Sequence, residues 1–292
     1  MRHRRPERTP EQEKAVKNRV LTQGIPSVTS STAEAVVMKD DDLFFLCQPD
    51  SRVPLTGGHG FGLYFHDCRY LRGYELKLLR DHPIPLGAAV ERGPLCLFEL
   101  TNPELHLADG SVIHEHQIGI QWQRLVCAEQ LEMTELISFS NFSNNPTELP
   151  VSLAYSCAFE DVFSVRGLLS EKLGKVQKPS FRDGVLTFFY EGSDELNRCL
   201  LIQFSEAPES VEEGVAQFKF KIKPRSQAEL KVVLRLSESA EGAAALPNAN
   251  ERAFDFPALR KRLAEKNDQC VAQYAQIKSS TLLVNKVFRR SL

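Results

Sequence analysis

From Ala35 to Leu236 the chain is a succession of short apolar or alternating runs separated by turn residues, the pattern of β-strands rather than of amphipathic helices. AVVM (35–38) and LFFLC (43–47) flank Asp40-Asp41-Asp42 and predict a hairpin. GLYF (62–65) and YELKLL (74–79) follow, the second ending at the breakers Asp81, His82 and Pro83. Residues 112–127 alternate polar and apolar over much of their length and predict one long strand. Residues 131–143 and 148–159 come next, on either side of Asn144-Asn145-Pro146. The runs 184–190, 199–204, 215–222 and 228–236 complete the series. Roughly a dozen strands with no interposed helix predict an antiparallel sandwich or barrel rather than a parallel α/β sheet.

The pattern changes after Leu236. Residues 237–254 are rich in Ala, Ser and Asn, with a Gly and a Pro, and read as a linker. Asp255 then precedes Phe256 and Pro257, an N-cap followed by a proline in the first helical turn. Leu259, Leu263, Cys270, Tyr274 and Ile277 fall on one side of the predicted helix, which should lie against an apolar surface. A second helical run (282–292) meets the end of the sequence without a cap, which predicts a natural chain that continues. The chain therefore divides into a polar tail over 1–30, a β domain over 31–236, and a linker with helices over 237–292.

Composition narrows the function. A hydrophobic content of 42% over 292 residues supplies a sizeable core, enough for one large domain or two medium ones. A formal net charge of -2 gives no electrostatic basis for a nucleic-acid or membrane partner. The local excess of Arg2, Arg4, Arg5 and Arg8 reads as a solvated, disordered tail. No apolar stretch could serve as a signal-peptide core or span a bilayer, so a cytoplasmic location is expected. Cys47, Cys68, Cys96, Cys127, Cys157, Cys199 and Cys270 occur singly, outside metal-ligand spacing and mostly within apolar runs. Dispersed core thiols fit a reducing compartment and argue against a disulfide framework.

Candidate chemistry is sparse. GGHGFG (57–62) lacks the Lys-Ser/Thr pair and the following helix of a phosphate loop, and reads as a flexible turn. His114 and His116 would project from one face of a strand and could ligate a metal, but no third ligand is near in sequence. No cofactor or metal is expected. Asp67 sits near Arg69, and Glu160 and Asp161 near Arg166. A neighbouring guanidinium lowers a carboxyl pKa, which suits an ion pair better than a general acid. Asp67 and Arg69 on one strand would share a face and could pair or anchor a loop. Trp122 is the single tryptophan and the candidate sugar platform, while most of the other aromatics are Phe and fit a core.

GLYFHDCRYLRGYELKL (62–78) resembles the G-L-x-x-x-D-T-R-(F/Y)-L-S opening of the N-terminal domain of bacterial glycogen-debranching, amylo-α-1,6-glucosidase-like proteins. FELTNPEL (98–105), residues 129–145 and AFEDVFSVRG (158–167) are similar to later segments of that domain, the last to D-F-x-D-x-F-E-V-R-G. Cys68 stands where Thr is usual, Arg72 where Ser, Ser164 where Glu, and Ala158 at an acidic position. The resemblance implies a β-supersandwich preceding an (α/α) catalytic domain that carries the acid and base and lies outside this sequence. The chain would then be a scaffold whose loops bearing Asp67, Arg69, Asp161 and Arg166 shape one wall of an α-glucan cleft. A sandwich without its helical partner would expose an apolar docking face and self-associate. Two alternatives stand beside this reading. One is a free-standing polysaccharide-binding module that uses Trp122. The other is a mutarotase-like epimerase that uses His114, His116 and Glu135 for proton transfer.

Overall fold

The computed structural model describes residues 35–91, 93–166, 174–240, 255–273 and 279–285. The basic tail, residues 241–254 of the linker, and Tyr274, Ile277 and the Cys270 side chain lie outside the described residues. So does the run beyond position 285.

A first antiparallel sheet of seven strands is ordered β1-β2-β3-β4-β11-β17-β16. Its members are β1 (Val36–Asp40), β2 (Leu43–Cys47), β3 (Gly62–Phe65), β4 (Cys68–Leu78), β11 (Thr147–Asp161), β16 (Ser210–Glu212) and β17 (Val215–Ile222). A second sheet is ordered β12-β14-β15-β18-β10-β9-β6-β5, with β13 beside β14. These strands are β5 (Ile84–Glu91), β6 (Leu95–Thr101), β9 (Ile118–Cys127), β10 (Glu132–Asn141), β12 (Lys175–Val176), β13 (Ser180–Arg182), β14 (Val185–Glu191), β15 (Asn197–Phe204) and β18 (Gln227–Ser239). β7 (Leu105–His106) and β8 (Val112–Ile113) form a separate two-stranded ribbon. The fold is the antiparallel β-sandwich that the alternating pattern predicts.

The physics is legible in β17. Ala216, Phe218, Phe220 and Ile222 point inward, while Gln217, Lys219 and Lys221 alternate outward. Each fully buried large apolar side chain contributes about 1.5–3 kcal/mol, and one continuous cluster from both sheets fills the interior. β10 is buried along most of its length because its outer face is also covered. The cover is α2 (Phe256–Gln273), which follows the four-residue α1 (Val162–Val165) in chain order. Asp255 caps α2, accepting from the Ala258 amide at 3.0 Å. Phe256, Leu259 and Leu263 then pack on Leu95, Leu125 and Cys127, the apolar surface that the helix requires. Lys266 Nζ ties the helix to the β1–β2 turn through Asp40 and Asp41, at 3.0 and 3.1 Å.

Three details differ from expectation. Residues 112–127 are not one strand but β8, a turn and β9. Fully buried Asn102 makes that turn: its Oδ1 accepts from the Ile118 amide at 2.6 Å, and its Nδ2 donates to the His114 carbonyl at 2.8 Å. β18 runs on to Ser239, into the predicted linker. β5, rich in Gly, Ala and Pro, is an additional edge strand.

Candidate functional site

Two turns meet at one end of the first sheet. β4 pairs with β11 so that Arg69 faces Glu160 and Cys68 faces Asp161. His66 and Asp67 make the β3–β4 turn with φ of 46° and 59°, in the left-handed region that Asp and His tolerate better than most side chains. The Asp67 carbonyl accepts from the Val162 amide at 2.8 Å and joins this turn to α1. Asp161 caps α1, taking the Ser164 amide at 2.8 Å and the Ser164 hydroxyl at 3.2 Å. Asp67 and Arg166 are exposed at this rim, and Phe163 is 61% exposed between them in sequence.

Arg69 is the anchor beneath the rim. It is 3% exposed and pairs with Glu160 through Nε at 2.9 Å and through Nη2. Its Nη1 donates to the His59 and Phe61 carbonyls at 2.5 and 3.2 Å. The Asp67–Arg69 pairing offered by the sequence is therefore replaced by a pair 91 positions apart, because Asp67 lies in the turn while Arg69 points into the protein. The loop-anchoring role stands. The second half of the glycine-rich segment is also tied down: Tyr64 donates to the Gly60 carbonyl at 2.9 Å. Gly62 has φ of 145°, and a Cβ there would fall 2.2 Å from the Leu71 carbonyl oxygen, so only glycine fits. His59 is buried with Nε2 2.7 Å from the Pro54 carbonyl, and burial holds its imidazole pKa below the ordinary value.

Behind the rim is a network with no local sequence signal. Glu238, in the segment expected to be linker, accepts from Arg198 Nε at 2.9 Å and from the Tyr70 hydroxyl at 3.2 Å. His66 Nδ1 lies 3.6 Å from the same carboxylate, and Arg198 pairs with Asp194 at 2.7 Å. The hydrogen bond from Arg198 draws the Asp194 carboxyl below its usual range. Burial pushes the Cys68 thiol up to about 12, so the cysteine that replaces the usual threonine is an inert core group.

The remaining candidates lie elsewhere. Trp122 is 1% exposed, with the Arg124 guanidinium 3.7 Å above its ring and Tyr74 edge-on at 5.3 Å. It is a core residue and offers no face to a sugar, since its position on β9 points between the sheets. Glu135 is fully buried, taking Arg124 Nε at 2.7 Å and the Tyr74 hydroxyl. His114 and His116 sit at the surface, their side chains 76% and 60% exposed. The trio required for proton transfer is thus not assembled: the histidines do not share a strand face, and the carboxylate is sealed in an ion pair. Among the described residues no group of three or more His, Cys, Asp or Glu could hold a metal.

Residues of both motif segments, from 62–78 and from 158–166, meet at this one rim. A family profile described as the N-terminal domain of (some) glycogen debranching enzymes matches residues 38–233. The chain belongs to that family. No curated protein matches the sequence. Among solved structures, a protein described as a kojibiose phosphorylase, from the human microbiome, is 8% identical with a TM-score of 0.51. The match covers 89% of this chain and 35% of that one, so the chain spans about a third of that protein's length. A galactose mutarotase-like protein from Clostridium acetobutylicum is 8% identical, with a TM-score of 0.39 and coverage of 70% and 95%. At 8% identity the likeness to the phosphorylase concerns the fold alone. In this debranching-enzyme N-terminal domain, the β4–β11 pairing, the Arg69–Glu160 ion pair and the Val162–Asp67 backbone bond join two distant motifs into one structural unit.

Proposed function

We propose that this chain is the non-catalytic N-terminal domain of a glycogen-debranching-type α-1,6-glucosidase, a cytoplasmic scaffold for an (α/α) catalytic domain and one wall of an α-glucan cleft. The observation that carries the wall is the rim where Asp67, Phe163 and Arg166 are exposed above the buried Arg69 and its partner Glu160. An exposed aromatic ring stacks on the apolar face of a sugar, and a carboxylate and a guanidinium beside it serve hydroxyl groups as acceptor and donors. The pair below fixes both turns before a ligand arrives, which lowers the ordering cost of binding. Catalysis is assigned elsewhere for a physical reason. Glycoside hydrolysis needs two carboxyl groups across the scissile bond, yet Asp161 spends both oxygens on the α1 cap and Glu160 is bound to Arg69.

The chain alone should release no glucose from a branched α-glucan, and measurable release would overturn the assignment. In the parent enzyme, Phe163→Ala with Arg166→Ala should raise KM about tenfold, the loss of one stacked ring and its hydrogen bonds. An unchanged KM would remove the wall.

A further inference from the structure

A cavity of about 480 Å³ lies between α2 and the outer face of the second sheet, and none of the rim residues described above lines it. Its size is within the roughly 300–1,000 Å³ of small-molecule sites. The floor is set by strand register: Glu132 and Thr134 of β10 lie opposite Arg235 and Val233 of β18, all on the outer face. The roof comes from Leu259 and Arg262 of α2 and from Asp255 at its cap. Two floor atoms are buried with no hydrogen-bond partner, Thr134 Oγ1 and Arg235 Nε. Thr134 is only 4% exposed and its side chain lines the cavity floor, so its hydroxyl is a buried polar feature rather than a surface group.

We infer that this cavity binds a neutral, hydroxyl-rich ligand, an oligosaccharide, at a site separate from the loop rim. The charges on its wall balance, with Arg235 and Arg262 against Glu132 and Asp255, so neither a strong anion nor a cation is favoured. Guanidinium, carboxylate, amide and hydroxyl groups together supply donors and acceptors in the mixture that vicinal hydroxyls require. Val233 and Leu259 add the apolar patches that the C–H face of a pyranose covers. A ligand hydroxyl accepting from Arg235 Nε and exchanging a hydrogen bond with Thr134 Oγ1 satisfies both orphaned atoms. The choice of a saccharide rests on the glucan-directed reading above; the cavity and its unpaired groups do not.

The test is a maltotriose titration of the full chain by calorimetry, repeated on Thr134→Val, Arg262→Ala and Phe163→Ala. Thr134→Val keeps the side-chain shape and removes the orphaned hydroxyl, so the fold is preserved. The inference expects Kd to rise about tenfold in Thr134→Val and in Arg262→Ala. Binding lost in Phe163→Ala but intact in Thr134→Val would overturn this site while favouring the rim. Absence of binding to the unaltered chain would overturn it as well, and would leave the rim to be judged by the KM of the parent enzyme. Displacement of maltotriose by inorganic phosphate would overturn the neutral-ligand assignment.

Discussion

Removing the Glu135 carboxylate should be among the most destabilising single changes available in this domain. The Arg124 guanidinium beside it is fully buried and stays charged, since arginine does not give up its proton in proteins. In the intact protein it has Glu135 at 2.7 Å, the Ser51 carbonyl at 2.6 Å, and the rings of Trp122, Tyr74, Phe45 and Phe98 at 3.7 to 5.4 Å. Glu135→Ala leaves that cation with one carbonyl and aromatic faces, and Tyr74 loses its acceptor. Breaking a buried pair in this way costs about 3–5 kcal/mol, a large share of the roughly 5–15 kcal/mol that holds a domain folded. Urea denaturation followed by the emission of the single tryptophan reads the effect at the site itself, because Trp122 lies under the guanidinium. The midpoint should fall with little change in slope. Replacing the whole set, Arg124→Met, Glu135→Leu and Tyr74→Phe, should come within about 1 kcal/mol of the native protein or exceed it, because no charge then remains to be desolvated. A loss below about 1 kcal/mol for Glu135→Ala would refute the reasoning, for it would mean that water reaches the guanidinium.

Gly62→Ala should lower stability by at least about 1–3 kcal/mol, since the backbone there has φ of 145° and the new Cβ would strike the Leu71 carbonyl; an unchanged thermal midpoint would contradict this. His59 is held neutral by burial in the folded state but takes a proton near its ordinary pKa of about 6.5 when unfolded. The unfolded chain therefore binds more protons below that value, so stability should fall as pH drops below about 6.5 and level off beneath the lowered folded-state pKa. His59→Gln should remove that part of the slope, and identical slopes would exclude His59 as its source. Leu263→Ala should cost about 2–5 kcal/mol and speed amide exchange in α2 while the first sheet stays protected; uniform exchange across the fold would show that the helix is not a separate cover.

The sequence carried the architecture well and the contacts poorly. Strands such as β17 announce themselves by strict alternation, and α2 by its Asp255 cap and by Leu259 and Leu263 on one side. The turn between β8 and β9 was hidden because His114-Glu115-His116-Gln117 continues the alternation without glycine or proline, and the bend comes instead from Asn102, more than ten positions earlier. β5 was hidden because Gly87, Ala88 and Ala89 carry little strand propensity and are held by pairing to β6. The two motif segments, far apart in sequence, meet at one end of the first sheet. What local reading cannot supply is partner choice across the sheet: Arg69 takes Glu160 rather than Asp67, and Trp122 lies beneath Arg124 rather than in solvent. Both outcomes follow from which face of a strand points inward, a property of the closed sandwich rather than of the neighbouring residues.

The order of strands in the second sheet has a consequence for synthesis on the ribosome. β18 inserts between β10 and β15, with Gln227 paired to Ser140 and Glu132 to Arg235. Until β18 emerges, β10 can pair with β9 only, and its other edge is bare along a strand that includes Met133, Ile137 and Phe139. From position 141 to position 227 is about 86 residues, roughly 4–17 seconds at translation rates of about 5–20 residues per second. For that interval the nascent protein presents an open, apolar β edge to the cell. The demand on chaperones is set by the placement of one late strand at the centre of the sheet.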